Sequence, residues 1–294
     1  MPSIRERIAF LRRAGVGYAW LLLLRRLGKK RARRLHGDRR FLVPLDTAGG
    51  IQLMRKGEVW MVPLLRAVLP VTSGSFIDAG ASVGQTLLQL RAADEERPWI
   101  GFEPSAQPCE TIRALVKLNG LRNTRLFESG LSDRHGDAVL HGISSTDGSA
   151  SMIRDYHGSS HPSQNMTFNV TLTDGATLTD EQLEAPVGVV KIDVEGMELE
   201  VIRGLRGVIE RDRPLLVCEI LPMPDEGTER TRRLLARQQD LMALLCDLRY
   251  RLVHIGMVGG YTDVEAPRND VDRHAGNYLL IPAERYGQIR KLLS

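Results

Sequence analysis

The sequence predicts an α/β fold: a doubly wound, mostly parallel sheet of seven strands, preceded by a basic helical N-terminal extension. Three observations lead to this prediction. From residue 75 onward, short β-type segments alternate with helical stretches, as in successive βαβ units. The first of these segments runs into a glycine-rich turn. Positive charge is concentrated before residue 45. We therefore assign residues 1–45 to a basic helical segment and 46–294 to the main domain, with its core at 75–282.

The first elements follow from local pattern. Residues 41–70 hold short apolar pieces broken by proline and glycine, which predict a small strand pair and a helix. The next three strands are short runs of β-formers bounded by turn residues, predicted at 75–79, 99–102 and 124–128. Residues 85–93 form a helix because their leucines share one face. The helix at 109–119 ends at Gly120, since glycine commonly follows the last helical turn.

The second half of the domain starts with an interruption. Residues 138–141 and 167–172 predict an additional pair of strands, joined by a long loop rich in serine, glycine and histidine. The alternation then resumes with a strongly apolar fourth strand. Strands are predicted at 187–192, 214–220, 251–255 and 277–281, and helices at 198–210 and 230–248.

Charge separates the N-terminal segment from the rest of the chain. The first 40 residues carry 13 Lys and Arg and two acids, a charge of +11, so the other residues of this +4 chain carry −7. A groove for nucleic acid would need basic residues around the main domain, so no nucleic-acid partner is expected. The apolar run at 14–24 is far shorter than the roughly 20 residues of a membrane span. Residues 1–40 either pack on the domain or make peripheral contact with an anionic membrane surface.

The cysteines indicate the cell compartment and argue against a metal. There are three, Cys109, Cys218 and Cys246, with no CxxC motif or Cys/His cluster. We expect unpaired thiols in a reducing cytosol. The expected location is therefore cytoplasmic, with the inner membrane surface as the alternative.

The turn after the first sheet strand is the first candidate ligand site. A strand, a glycine turn and a helix let backbone amides approach a ligand closely. Only Gly80 and Gly84 are present, so the three-glycine dinucleotide fingerprint is not met. The carboxylate of Asp78 would repel a pyrophosphate and suits a ligand that carries an amino group. Ser82 lies within the turn and can form hydrogen bonds.

Acids also follow two further strands. Glu103 lies 23 residues after Gly80, where an acid in nucleotide-binding α/β folds accepts hydrogen bonds from ribose hydroxyls. Asp193 and Glu195 end the fourth strand, where they can hold a substrate hydroxyl, take its proton or bind an amino group. Alternatively, Asp193 caps the following helix and Glu195 favours the helix dipole.

Other side chains are weaker candidates. His157 and His161 belong to the long loop, and Glu219 and His254 follow later strands on the side of the cleft. Asp193, Glu195 and Glu219 could hold a divalent metal, but no ligand spacing requires one, and we predict none.

Together these stretches resemble the FkbM-type family of class I S-adenosylmethionine-dependent methyltransferases, which act mainly on hydroxyl groups. The resemblance covers roughly residues 70–282 and is most specific in the KIDVEGMELEVIRGL run at 191–205. Where the family's turn commonly reads Gly-Ala-Asn, this chain has Gly80-Ala81-Ser82. The other matching segments are FIDAGASVGQTLL (76–88), GFEPSAQPCETIRALVKLNG (101–120), ESGLSDRHGDAVLH (128–141), GSASMI (148–153) and VTLTDGATL (170–178).

The resemblance implies a Rossmann-like class I fold with S-adenosylmethionine as cofactor. It implies that Asp78, Gly80 and Gly84 line the methionine end and that Glu103 holds the ribose. By the same likeness, Ser129, Gly130 and Leu131 lie against the adenine, and Asp193 and Glu195 face the reacting centre.

The expected reaction is O-methylation of a hydroxyl on a sugar, a glycolipid or a secondary metabolite, so the partner is a small-molecule, glycan or lipid acceptor. Two alternatives stay open. One is a nicotinamide-dependent oxidoreductase on the same sheet, which the incomplete glycine fingerprint disfavours. The other is a non-catalytic adapter that uses its basic segment at a membrane surface.

Overall fold

The structure of the protein is a computed structural model that describes residues 25–47, 49–54, 57–144, 148–156, 166–223, 227–269 and 276–293. The strands, in chain order, are β1 (Arg31–His36), β2 (Arg39–Pro44), β3 (Ser75–Ala79), β4 (Trp99–Phe102), β5 (Thr124–Phe127), β6 (Gly130–Ser132), β7 (Gly136–Gly142), β8 (Met166–Asp174), β9 (Val187–Ile192), β10 (Leu215–Glu219), β11 (Tyr250–Ile255), β12 (Tyr261–Val264) and β13 (Asn277–Pro282). The helices are α1 (Gly50–Leu53), α2 (Met61–Val68), α3 (Gln85–Ala93), α4 (Ala106–Asn119), α5 (Asp180–Leu183), α6 (Glu198–Gly204), α7 (Arg206–Asp212), α8 (Glu229–Asp247) and α9 (Tyr286–Leu292).

Within these ranges the central sheet has eight strands in the order β12-β11-β13-β10-β9-β3-β4-β5. Strands β10, β9, β3, β4 and β5 run parallel, and β13 pairs antiparallel with both β10 and β11. All seven predicted strands lie in this sheet, and the α/β fold is confirmed. The strand number is corrected from seven to eight, because β12 forms an additional antiparallel edge beside β11. Its half-exposed side chains leave no apolar alternation that a sequence pattern could detect.

Two apolar layers cover the sheet, one on each face. One contains buried side chains of α2, α3, α4 and α9, and the other contains those of α6, α7 and α8. Strand alternation assigns residues to these layers: Phe76 faces the first, whereas Ile77 and Ala79 face the second. Asp78 therefore lies on the same face as Phe76.

Within the described part of the basic N-terminal segment, only Arg25 and Arg26 are helical, and residues 31–44 form two strands. Residues 1–24 lie outside the described ranges. The helical prediction is wrong for residues 31–44, because β1 and β2 pair antiparallel as a hairpin around Gly37, which has a φ of +56°. Phe41 and Val43 of this hairpin are buried in the first apolar layer, and that packing outweighs the helical preference of arginine. No helix in the described ranges has the length and apolar character needed to cross a bilayer.

A smaller sheet has the order β6-β8-β7. Its antiparallel pair of β7 and β8 is the additional strand pair expected from the sequence. The short strand β6 pairs parallel with β8 and was not predicted, since three residues carry too little pattern. The segment between β7 and β8 is described only at residues 143–144 and 148–156, where Ser151 bridges to His141 of β7.

Candidate functional site

A cavity of about 70 Å³ lies at the carboxyl ends of β3, β4 and β9, where ligands bind in open α/β sheets. The smaller sheet and the segment after β7 form one of its walls, through Leu131, Leu140, Gly148 and Met152. Seven of the predicted site residues line it: Gly80, Ser82, Glu103, Gly130, Leu131, Asp193 and Glu195. Sequence positions that are far apart therefore meet in one crevice, as predicted from the strand ends.

Glu103 is fixed by two backbone hydrogen bonds. The amide of Ser82 donates to its Oε2 at 2.9 Å, and the amide of Ser105 donates to its Oε1 at 2.8 Å. Burial raises the pKa of Glu103 above its usual value, although both of these hydrogen bonds favour the charged form. Each carboxylate oxygen can accept a further hydrogen bond, so the side chain is suited to a pair of hydroxyl groups.

The two glycines of the turn after β3 have different structural roles. Gly80 has a φ of +81°, and a Cβ there would lie 1.8 Å from the carbonyl oxygen of Asp193. Its lack of a side chain therefore lets the β3 turn contact the end of β9. Gly84 does not line the crevice. A Cβ there would lie 3.0 Å from Leu115 Cδ1, so this glycine allows α3 to pack against α4.

Ser82 occupies the left-handed region, with a φ of +47°. Replacing Ser82 with asparagine is expected to raise the free energy of unfolding by about 0.5–1 kcal/mol, because asparagine tolerates this region better than other non-glycine residues. Urea denaturation measures the effect. Ser82→Ala serves as the control, since alanine keeps the strain and should bring no gain. A less stable asparagine variant would contradict the assigned backbone strain.

Ser129 lies outside the crevice and stabilises the smaller sheet that forms one of its walls. Its hydroxyl shares a 2.7 Å hydrogen bond with the hydroxyl of Thr173, which connects the start of β6 to β8. A Cβ on the neighbouring Gly130 would lie 2.9 Å from Leu172 Cδ2. Gly130 and Leu131 line the cavity, whereas Ser129 does not.

Asp78 lies below the surface of the crevice and not in its wall. It is fully buried, does not line the crevice, and accepts a hydrogen bond from Trp99 Nε1 at 3.2 Å. The indole lies over Gly101, where a Cβ would be 2.1 Å from the ring. Burial raises the pKa of Asp78 to about 7, and the charge of Lys191 opposes this shift. The expectation that Asp78 lines the methionine end is therefore corrected: its carboxyl group lies in the interior.

Lys191 forms the centre of this interior charge cluster. It pairs with Asp78 in the β3–β9 register, so both side chains lie on the same face of the sheet. Its ammonium donates to Asp193 Oδ2 at 2.8 Å, and only 6% of its side chain is exposed. Burial alone would lower the pKa of Lys191, but Asp193, Asp78 and Glu58 raise it, so the lysine is charged.

The side-chain carboxyl groups of Asp193 and Glu219 interact with each other. Although burial opposes ionisation of Asp193, the charge of Lys191 and a hydrogen bond with Glu219 hold its pKa below the usual value. Burial and repulsion from Asp193 and Glu195 raise the pKa of Glu219 well above its usual value. Within this pair, negative charge is therefore favoured on Asp193, which lies beside the Lys191 ammonium, over Glu219.

The structure of the loop after β9 excludes the alternative in which Asp193 caps helix α6. Helix α6 begins after Met197 without a side-chain cap, and Glu198 Oε1 accepts the Gly196 amide at 2.9 Å. Asp193 is instead held by Lys191. The carbonyl oxygen of Glu195 accepts a 2.6 Å hydrogen bond from Ser151 Oγ, which ties this loop to the segment after β7.

Sequence reasoning missed two members of the cluster. Lys191 carried a usable signal, because a lysine within an otherwise apolar central strand must be paired. Glu58 carried none, since it lies in a short irregular stretch before α2. Burial raises the pKa of Glu58 to about 7 against the charge of Lys191. His254 lies within β11 against the ring of Tyr278, away from the crevice. His157 and His161 lie outside the described residues.

Three acidic side chains also lie close together at the carboxyl ends of β9 and β10. One carboxylate oxygen from each of Asp193, Glu195 and Glu219 lies within 4.8 Å of the others, close enough to ligate one metal ion. The absence of a metal was predicted from sequence spacing, and it stays a prediction. The Lys191 ammonium already compensates Asp193, which weakens the attraction of this group for a second cation.

A sequence model of the methyltransferase FkbM domain matches residues 78–252, more than half of the chain. No curated protein sequence matches the chain. Among solved structures, the chain is similar to the methyltransferase FkbM from Methylobacillus flagellatus KT, with a TM-score of 0.42 and 15% identity. That alignment covers 71% of this chain but only 43% of the other.

Two other solved structures are similar over more of their length. A putative caffeoyl-CoA O-methyltransferase from Staphylococcus aureus has a TM-score of 0.46 and 8% identity, covering 95% of this chain and 98% of that one. A putative O-methyltransferase from Klebsiella pneumoniae has a TM-score of 0.41 and 11% identity, covering 75% and 79%. At these identities the similarity concerns the architecture alone.

Proposed function

Because the chain belongs to the FkbM methyltransferase family, we propose that it transfers a methyl group from S-adenosylmethionine to a hydroxyl oxygen of a sugar, glycolipid or secondary metabolite. Membership of this family sets aside the nicotinamide-dependent alternative. The observation that carries the proposed acceptor class is the Asp193 carboxyl group in the wall of the crevice, 2.8 Å from the Lys191 ammonium. A carboxylate in this position can accept the proton of a neutral hydroxyl.

The residues of the crevice suit the cofactor. Glu103 offers free acceptor capacity for the two ribose hydroxyls. Leu131 and Met152 supply apolar surface for an adenine ring. Gly80 keeps the floor of the crevice free of a side chain. When bound, S-adenosylmethionine supplies an electrophilic methyl group that needs no further activation.

The protein then contributes alignment and a proton acceptor. As the new C–O bond forms, the acceptor oxygen becomes acidic, so a weak base is sufficient to take its proton. We assign this role to Asp193. Lys191 and Glu219 hold its carboxylate in place from the interior side. Asp78 does not contact the acceptor and acts only through its interaction with Lys191.

Calorimetry with S-adenosylmethionine and its demethylated product tests the binding step. Glu103→Gln is expected to weaken binding about 10- to 100-fold, because hydrogen bonds to a charged group contribute about 1.5–3 kcal/mol. Glu110→Gln provides a matched control, since Glu110 is exposed on α4. Unchanged affinity in the Glu103 variant would remove the ribose assignment.

Transfer of a labelled methyl group into extract metabolites tests the reaction. We expect the label in a methyl ether, identified by mass spectrometry. Label on nitrogen or carbon would reject the proposed acceptor class, and binding without any transfer would favour the non-catalytic adapter.

A further inference from the structure

The outer face of the β1–β2 hairpin is strongly basic. Strand β1 alternates in exposure, so Arg31, Arg33 and Leu35 point outward. Leu35 pairs with the exposed Arg40 of β2 in the antiparallel register, which places both on the same face. These four residues are called the basic hairpin face below. The exposed residues Arg25, Arg26, Lys29 and Lys30 precede it directly.

The cations of this face lack counter-ions within the described part of the chain. Asp38, the only acid between residues 25 and 44, pairs with Arg66 of α2. Arg39 pairs with Glu95 at 2.6 Å. Neither Arg31, Arg33 nor Arg40 makes an ion pair or hydrogen bond with a described side chain. Their charge is thus available to an external anionic partner.

Apolar side chains are interspersed with these cations. Leu27 is 66% exposed and Leu35 is 55% exposed. The opposite face of the hairpin packs Phe41 and Val43 into the core. The hairpin therefore presents a fixed outer surface in which two leucines lie among arginines and lysines.

We propose that the basic hairpin face, with Leu27, docks on an anionic lipid bilayer. Arginines would contact lipid phosphates, and the two leucines would enter the interfacial region. A nucleic acid explains the charge but not the exposed Leu27 and Leu35. Docking through this surface is independent of which methyl acceptor the protein uses. The folded hairpin would thus make the membrane contact that is expected of residues 1–40.

Co-sedimentation of the full chain with vesicles of phosphatidylglycerol and phosphatidylcholine tests the proposal. The triple variant Arg31→Gln, Arg33→Gln, Arg40→Gln is expected to partition on the order of 100-fold more weakly. A matched control replaces Arg134, Arg203 and Arg233 with glutamine, which removes the same charge at exposed positions elsewhere. The control should partition within about threefold of wild type.

Two measurements separate the classes of partner. Leu27→Ser combined with Leu35→Ser should weaken partitioning about tenfold at an unchanged net charge. Wild type should not sediment with pure phosphatidylcholine vesicles. Equal losses in the control, undiminished partitioning of the arginine variant, or tighter binding to a DNA or RNA oligonucleotide than to vesicles would each overturn the proposal.

Folding and cofactor binding are measured alongside. Thermal melts and S-adenosylmethionine calorimetry should be unchanged in the arginine and leucine variants. If the arginine variant melts early, the salt dependence of wild-type partitioning decides, since docking through these charges must weaken at high salt. Failure of cofactor binding in wild type would reject the proposed function and leave the vesicle result intact.

Discussion

Replacing Asp193 with asparagine is expected to lower kcat about 10²- to 10⁴-fold, the usual contribution of a positioned proton acceptor. Affinity for S-adenosylmethionine should stay within about threefold, because the change falls on kcat and not on ground-state binding. Asparagine keeps the shape of the side chain but cannot take a proton. Single-turnover kinetics with the identified acceptor, together with calorimetry, separate the two quantities.

Glu219 supplies the matched comparison. Because burial and the charges of Asp193 and Glu195 raise the pKa of Glu219, glutamine resembles its neutral form, and Glu219→Gln should stay within about tenfold of wild-type kcat. Glu219→Ala removes this hydrogen-bonding partner of Asp193 and should be slower. Full activity in Asp193→Asn, or a larger loss in Glu219→Gln than in Asp193→Asn, would reject Asp193 as the proton acceptor.

Replacing Lys191 with methionine is expected to destabilise the protein by about 3–5 kcal/mol near neutral pH, because it leaves buried carboxyl groups without their cation. Methionine has a similar length, so little packing is lost. Asp78, Asp193 and Glu58 all interact with this one ammonium group. Urea denaturation followed by circular dichroism gives the free energy of unfolding.

The destabilisation should depend on pH in a defined direction. Burial raises the pKa of both Asp78 and Glu58 to about 7, above the value of about 4 expected in the unfolded chain. Between these values the folded state binds more protons, so the stability that protonation confers is lost as pH rises through 7. Without Lys191 the folded pKa values rise further. The free energy of unfolding of the variant should therefore continue to fall above pH 7, where that of wild type no longer falls for this reason. Near about pH 5 the two free energies of unfolding should become similar.

Two variants control this result. Lys117→Met removes an exposed lysine of α4 and should change stability by less than about 0.5 kcal/mol. Combining Lys191→Met with Asp193→Asn removes both members of the 2.8 Å pair and should be less destabilised than Lys191→Met alone. A pH-independent loss in Lys191→Met would show that packing, and not charge compensation, is responsible.

Local pattern in the sequence determined the element types and the position of the crevice. Alternating β and helical segments predicted seven of the eight sheet strands, and the acids after two strand ends predicted Glu103, Asp193 and Glu195 in one cavity. These inferences succeed because periodicity is a local property, and because parallel strands place their carboxyl ends at the same edge. The KIDVEG run further identified the family, although it did not reveal the acceptor.

The tertiary structure alone decided which charges are neighbours and which segments are strands. Asp78 and Lys191 are far apart in sequence, and only the β3–β9 register places them side by side in the interior. The pairing of β9 with β10, which sets Cys218 beside Ile192, brings Glu219 to Asp193. Residues 31–44 form a hairpin because Phe41 and Val43 find a core to pack against. Lateral pairing and burial arise from contacts between distant segments, which no local period encodes.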